Sequence, residues 1–206
     1  MLFALVDSEA GAQTTYSDDF WPEIDLHVRL DEATQVIGMV TYNRDQDSGQ
    51  VYQAEGGAVV EHRFADWFYG RIGYRHANAT DGGPFVENRL LTEQTFRIRL
   101  PGKVSIDART REDFRWLNTG YSMRFRERLQ VQRDTSIGDY VFQPYASAEV
   151  YFDTRYGQFA RYRLIVGSTF PIDRHLSVEP YLARQVDFAS SSAVVHALGL
   201  ILHLSF

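Results

Sequence analysis

The sequence predicts an all-β fold: an antiparallel, up-and-down transmembrane β-barrel of about twelve strands, with ten as the alternative. Three observations predict it. In the last residues Leu198, Leu200, Leu202, Leu204 and Phe206 recur at period two, while Ala197, Gly199, Ile201, His203 and Ser205 take the other parity, so in a strand one whole face is apolar. The chain is cut by turn residues into runs longer than the roughly 5–6 residues of soluble strands, near the roughly 9–11 that cross a bilayer at a tilt. No run approaches the roughly 18 consecutive apolar residues of a helical span. A closing strand that is apolar on one side and ends on an aromatic residue fits a bacterial outer-membrane barrel, whose outward residues meet lipid and inward ones a lumen.

Composition bounds the rest. The 206 residues suit one domain, with 13–206 forming the barrel. Segment 1–12 reads as a truncated export signal, because Ala10-Gly11-Ala12 has the Ala-x-Ala cleavage pattern behind a short apolar stretch; an ordinary first strand is the alternative. A formal charge of -6 gives no support for binding nucleic acid. The absence of cysteine removes thiol catalysis, disulfides and thiolate metal sites together. Of 21 Lys+Arg residues only Lys103 is lysine, and arginine is favoured where charges are paired and partly buried.

The runs follow in order. Residues 23–30 set Ile24, Leu26, Val28 and Leu30 against Glu23, Asp25, His27 and Arg29, and Asp31-Glu32 closes them. Run 34–44 follows, then 52–61, where Gly56-Gly57 predicts a bulge or bend. In 67–76, Phe68, Gly70, Ile72 and Tyr74 alternate with Tyr69, Arg71, Gly73 and Arg75. A loop over 77–84 leads to the long hairpin 85–100 and 104–116, joined by Pro101-Gly102-Lys103. Runs 121–133, 141–152, 159–170, 175–186 and the terminal strand complete a series of eleven. Single-chain bacterial barrels have even strand numbers, so a further strand is expected near Met1 to Ser8. With Phe206 at the periplasmic rim, 101–103 and 171–174 become periplasmic turns, and 77–84, 153–158 and 187–192 face outside.

From Phe20-Trp21-Pro22-Glu23 onward the chain resembles an uncharacterised family of Gram-negative outer-membrane proteins catalogued as a domain of unknown function. The likeness is carried by residues 109–116, 124–129 and 161–163, by Pro144-Tyr145 with Glu149 and 151–153, and by Glu179-Pro180-Tyr181. The resemblance implies a barrel and an outer-membrane address, and it carries no activity.

The strongest candidate constellation is a ladder of charges at strand spacing. Glu87, Arg89, Glu93, Arg97 and Arg99 share one face; Asp107, Arg109, Arg111, Asp113 and Arg115 share the next; Arg124, Arg126 and Arg128 the third; Glu149, Arg161, Arg163 and Glu179 follow on later strands. In a barrel all point inward. They either fill a narrow lumen with hydrogen-bonded ion pairs or form a charged constriction that selects ions or solutes by sign. Thr92, Gln94, Thr110, Glu112 and Glu127 fall on the lipid face, which predicts a bulge or strand ends above the membrane there, or a lateral seam.

Catalytic patterns are weaker. His203-Leu204-Ser205 resembles the His-x-Ser spacing of lipid A deacylases but lies at the expected periplasmic end. Ser190, Ser191 and Ser192 with His196 sit at the outer rim, with Asp187 the nearby candidate to orient the histidine. The histidines are scattered and predict no metal site, though Asp25 and His27 share a face as a candidate lumen pair. Phe20, Trp21, Trp67, Phe68, Trp116, Tyr121, Tyr140, Phe142, Phe152, Phe170 and Phe188 suit interfacial aromatic girdles.

The expectation is therefore a monomeric outer-membrane barrel, acting as a narrow channel or a structural envelope barrel, without cofactor or metal. Its expected partners are outer-membrane lipid and lipopolysaccharide, the barrel-assembly machinery during insertion, and small ions or solutes. A lipid-acting enzyme, or a soluble calyx with its apolar face inward, is the alternative.

Overall fold

The computed structural model of the chain describes residues 14–45, 51–80, 83–189 and 193–206. The expected export signal and the strand near Met1 to Ser8 lie outside them. Twelve strands follow one another: β1 Thr15–Arg29, β2 Thr34–Asp45, β3 Val51–Ala65, β4 Phe68–Ala79, β5 Val86–Leu100, β6 Val104–Leu117, β7 Gly120–Arg133, β8 Thr135–Ile137, β9 Tyr140–Asp153, β10 Gln158–Pro171, β11 Leu176–Asp187 and β12 Ala193–Ser205. No helix occurs among the described residues.

Eleven strands close into a barrel wall, and the twelfth, β8, folds back on the start of β9 through Gly138, whose φ is 60°. The total of about twelve is thus met by a short ribbon rather than by an added wall strand. Consecutive wall strands pair antiparallel, and β12 returns to β1 in parallel, from Thr15↔Ala193 to His27↔Ser205. The odd wall count dictates this: when each strand reverses the last, the first and eleventh point the same way. Thr15 and Phe206 therefore stand at opposite ends, here called the Asp153 end and the Phe206 end.

Connections segregate accordingly. Residues 30–33, 66–67, 101–103, 134–139 and 172–175 cap the Phe206 end; 118–119 and 154–157 cap the Asp153 end. The wall strands run 12 to 15 residues, longer than the roughly 9–11 a tilted span requires, so they project beyond a hydrocarbon layer.

Parity decides which face is which. Leu182, Val166, Ile72 and Leu198 are 66%, 64%, 55% and 52% exposed on the outside. This inverts the soluble-calyx alternative, which needs the apolar face inward. Aromatic rings gather toward the two ends of the outer surface. Phe68 stacks on Phe64 and Phe96, and Phe142 on Phe170, toward the Phe206 end; Tyr42 meets Tyr52 and Trp116 meets Tyr121 toward the other. Trp21 departs from the expected girdle. It points inward and is buried, with Ala183, Val195 and Ala197 packed around it.

Two further expectations fail for local reasons. Gly56-Gly57 makes no bulge, because β3 keeps its register on β2 and β4 through both residues. Gly57 instead makes room for its partner: a Cβ there would lie 2.8 Å from the Cα of Arg75 and 2.9 Å from its Cγ. The lipid-face polar residues likewise sit on unbroken mid-strand register. Thr92 Oγ1 donates to Glu112 Oε2 at 2.5 Å and Thr110 Oγ1 to Glu127 Oε2 at 2.8 Å, so each carboxylate receives one cross-strand hydroxyl.

Candidate functional site

Because each strand turns every second residue inward, the lumen is furnished by one parity from each of eleven strands. At the Asp153 end every wall strand sends in a side chain at most 7% exposed: Trp21, Thr41, Glu55, Ala77, Glu87, Arg115, Arg124, Asp153, Arg161, Asp187 and Val195. This forms a complete ring of buried groups.

Ion pairs knit the ring across adjacent strands and, at Arg115–Asp153 and Arg89–Glu55, across strands that are not neighbours. Arg115 on β6 donates from Nη2 to Glu87 Oε2 at 2.6 Å and from Nη1 to Asp153 Oδ2 on β9 at 2.9 Å. Arg124 meets the same Asp153 oxygen at 3.0 Å. Arg89 on β5 contacts both Glu87 at 2.5 Å and Glu55 on β3 at 3.4 Å. Arg161 pairs with Asp187 across β10 and β11. Guanidinium forks supply several partners at once to charges this deep, while Arg115 Nε and Arg109 Nε are buried without a hydrogen bond.

A second layer lies nearer mid-barrel. Arg126 forks onto Glu149 at 3.1 and 2.9 Å, Arg109 reaches Glu149 at 2.5 Å and Glu93 at 3.3 Å, and Arg71 bridges Glu61 and Glu93. Arg111 donates to Asp113 at 2.7 Å. Tyr151 is the hub: its hydroxyl donates to Glu149 at 2.5 Å, and the guanidiniums of Arg126, Arg161, Arg163 and Arg124 lie 4.7, 5.5, 5.7 and 5.9 Å from its ring centroid. Arg163 also lies 4.7 Å over Trp21 and bonds Gln185.

Residues of both layers line a cavity of about 250 Å³, with nine arginines and four glutamates in its wall. Arg128 makes no hydrogen bond or ion pair among the described residues, its Nε is buried without a partner, and so is Arg111 Nη2. Toward the Phe206 end the inward groups become partly exposed: Arg97 forks onto Asp107 at 2.7 and 2.6 Å, and Arg99 is exposed at the rim. Glu179 accepts from Tyr145 at 2.6 Å and Thr169 at 3.2 Å.

The predicted ladder residues all take the inward parity, and several of their pairings skip a strand, as Arg109 to Glu149 and Arg89 to Glu55 do. Glu55, Glu61, Arg71, Arg75, Asp153, Asp187, Tyr151 and Trp21 complete the network and were not among the ladder candidates. The same period-two parity on β3, β4 and β9 was the signal for most of them. Asp25 and His27 do face the lumen together, and the parallel seam adds His203: Asp25 Oδ2 lies 3.6 Å from His203 Nδ1, and one ligand atom from each of the three falls within 4.8 Å of the others.

The rim constellation comes apart. Asp187 turns inward to Arg161, whereas His196 turns outward and meets Asp18 at 3.8 Å, so Asp187 does not orient His196. Ser190, Ser191 and Ser192 lie outside the described residues. His203 is engaged by Asp25 and Glu179 rather than by Ser205.

Comparisons with known proteins agree with this architecture. Residues 18–195 match the family described as protein of unknown function (DUF2490), and the chain belongs to that family. No curated protein matches the sequence. Similar solved structures include a bacterial polysaccharide outer membrane secretin, at TM-score 0.56 and 10% identity over 82% of this chain and 63% of that one. The chain thus spans less than two thirds of the secretin. The β domain of the Bordetella autotransporter BrkA matches at TM-score 0.60 and 14% identity over 88% and 87% of the two chains. LpxR from Salmonella typhimurium matches at TM-score 0.60 and 10% identity over 87% and 86%. At these identities the likeness shows the fold, that of outer-membrane β-barrels.

Proposed function

We propose that this DUF2490 member is a structural barrel of the bacterial outer membrane, closed by its own side chains and not an open pore. The observation that carries the reading is the ring at the Asp153 end, where all eleven wall strands contribute buried inward groups and Arg115 has no exposed surface. An open aqueous pore would hydrate some of that ring. The apolar exterior and aromatic girdles support membrane residence. In this reading the Asp153 end faces outward and the Phe206 end, with its partly exposed lumen, faces the periplasm. Lipid and lipopolysaccharide surround the wall, and the barrel-assembly machinery inserts it. The refolded protein in a planar bilayer tests this: the closed reading expects no conductance steps.

A second reading is favoured by the arginine-rich wall of the cavity and by Arg128, which forms no ion pair among the described residues. It makes the lumen a narrow path for small anions, as rings of arginine do in anion pores. Steps that select chloride over potassium and lose that preference in Arg128→Gln would favour it over the closed barrel.

A further inference from the structure

In a lumen where Glu55, Glu61, Glu87, Glu93, Asp107, Asp113, Glu149, Asp153 and Asp187 each meet an arginine, Glu23, Asp25 and Glu179 form no ion pair with one among the described residues. Asp25 and Glu179 face histidine instead. They lie where the wall closes: the parallel pairing sets Asp25 on β1 directly opposite His203 on β12, and His27, two residues on, shares the inward parity of Asp25. The rings of His27 and His203 stand 5.6 Å apart at 57°. Asp25 Oδ1 is buried and accepts no hydrogen bond.

We propose that Asp25, His27 and His203 form a binding site for a divalent transition metal of the zinc class, clipping β1 to β12 across the parallel seam. The geometry of His203 carries the argument furthest. Its Nε2 lies 3.0 Å from Glu179 Oε2, and Glu179 is itself held by the hydroxyls of Tyr145 and Thr169. In the neutral tautomer whose Nε2–H donates to that carboxylate, Nδ1 keeps its lone pair toward Asp25, 3.6 Å away. A carboxylate behind an imidazole that presents its other nitrogen is the usual support of a metal-ligating histidine.

The 3.6 Å between Asp25 and His203 is close to a ligand spacing, and one nitrogen of His27 lies within 4.8 Å of both. Ligands at about 2.0–2.1 Å around a tetrahedral ion stand roughly 3.4 Å from one another. Two imidazoles and one carboxylate favour zinc-type ions over magnesium or calcium, which prefer all-oxygen shells. Glu179 is a positioning residue here, not a ligand. The clip also has a structural logic: the three ligands come from the first and last wall strands, so a bound ion stabilises the closed wall by mass action.

The test is a Zn²⁺ titration by calorimetry on the refolded chain, made without a histidine tag, with folding checked by heat-modifiable gel migration. The proposal expects a single equivalent bound and a higher thermal midpoint with Zn²⁺. Binding should be lost in His27→Gln and His203→Gln, retained in His62→Gln and His175→Gln, and about 10–100-fold weaker in Glu179→Gln. Should the ligand variants fail to fold, Co²⁺ absorption of the unaltered barrel decides: an intense tetrahedral spectrum supports the site, and a weak hydrated-ion spectrum overturns it. No uptake by the folded barrel, or uptake that survives in both histidine variants, also overturns it.

Discussion

Arg115 Nη2 donates to Glu87 Oε2 at 2.6 Å, with the two side chains 0% and 1% exposed. A pair this dry is costly to assemble and more costly to break, since removing one partner strands the other's charge, typically at about 3–5 kcal/mol. Arg89 still reaches Glu87, and Arg124 and Arg155 still reach Asp153. Arg115→Ala is therefore expected to fall at the low end, near 3 kcal/mol, in urea unfolding of the micelle-bound barrel. A loss under 0.5 kcal/mol would mean that water already reaches the pair.

Gly199 and Tyr181 are cross-strand partners, and the tyrosine ring occupies the space a side chain would take: a Cβ on Gly199 would sit 1.9 Å from Tyr181 Cζ. Gly199→Ala is expected to destabilise the barrel by about 1–3 kcal/mol, as overpacking does. In a Tyr181→Ala background the same change should cost little, which a double-mutant cycle reads directly. Equal cost in both backgrounds would sink the steric account.

Glu127 sits on the outer face at mid-strand, and among the described residues the Thr110 hydroxyl is its one hydrogen-bond partner. Glu127→Leu is expected to leave insertion intact and to raise the urea midpoint, because a carboxylate leaves the hydrocarbon layer. A reduced folded fraction would mean that the stripe contacts protein.

Asp173 caps the β10–β11 turn, accepting from the backbone N–H of His175 at 2.6 Å and of Leu176 at 2.9 Å, and these bonds hold its carboxyl below the usual aspartate range. The folded pKa lies below the unfolded one, so the contribution is present above about pH 4 and fades as pH falls through the folded value. The stability gap between the unaltered barrel and Asp173→Ala should narrow on acidification below pH ~4. A gap independent of pH would show that the charge plays no part.

What the sequence made legible was parity. Alternation along β5, β6 and β7 is enough to say that Arg89, Arg109 and Arg126 point one way and Leu90, Ala108 and Phe125 the other. It is not enough to say that Arg109 meets Glu149 or that Arg89 meets Glu55, since those pairs skip a strand and follow from wall curvature and stagger. The Asp25, His27 and His203 cluster was hidden more deeply, because it needs a parallel closure that the even-strand expectation argues against. Asp187 was within reach of the same parity: counted from its pairing with Ala193, it and His196 fall on opposite faces. Gly57 was misread because glycine in a strand has two uses, a bulge or a close approach, and only the position of Arg75 separates them.

The closed lumen is the central claim, and single-channel recording of the refolded barrel in a planar bilayer tests it most directly, with Arg115→Ala run beside it. The account predicts a folded, silent barrel and discrete steps once Arg115 is removed from the ring. Regular steps from the unaltered protein would contradict it and make the arginine-lined cavity part of a conducting path.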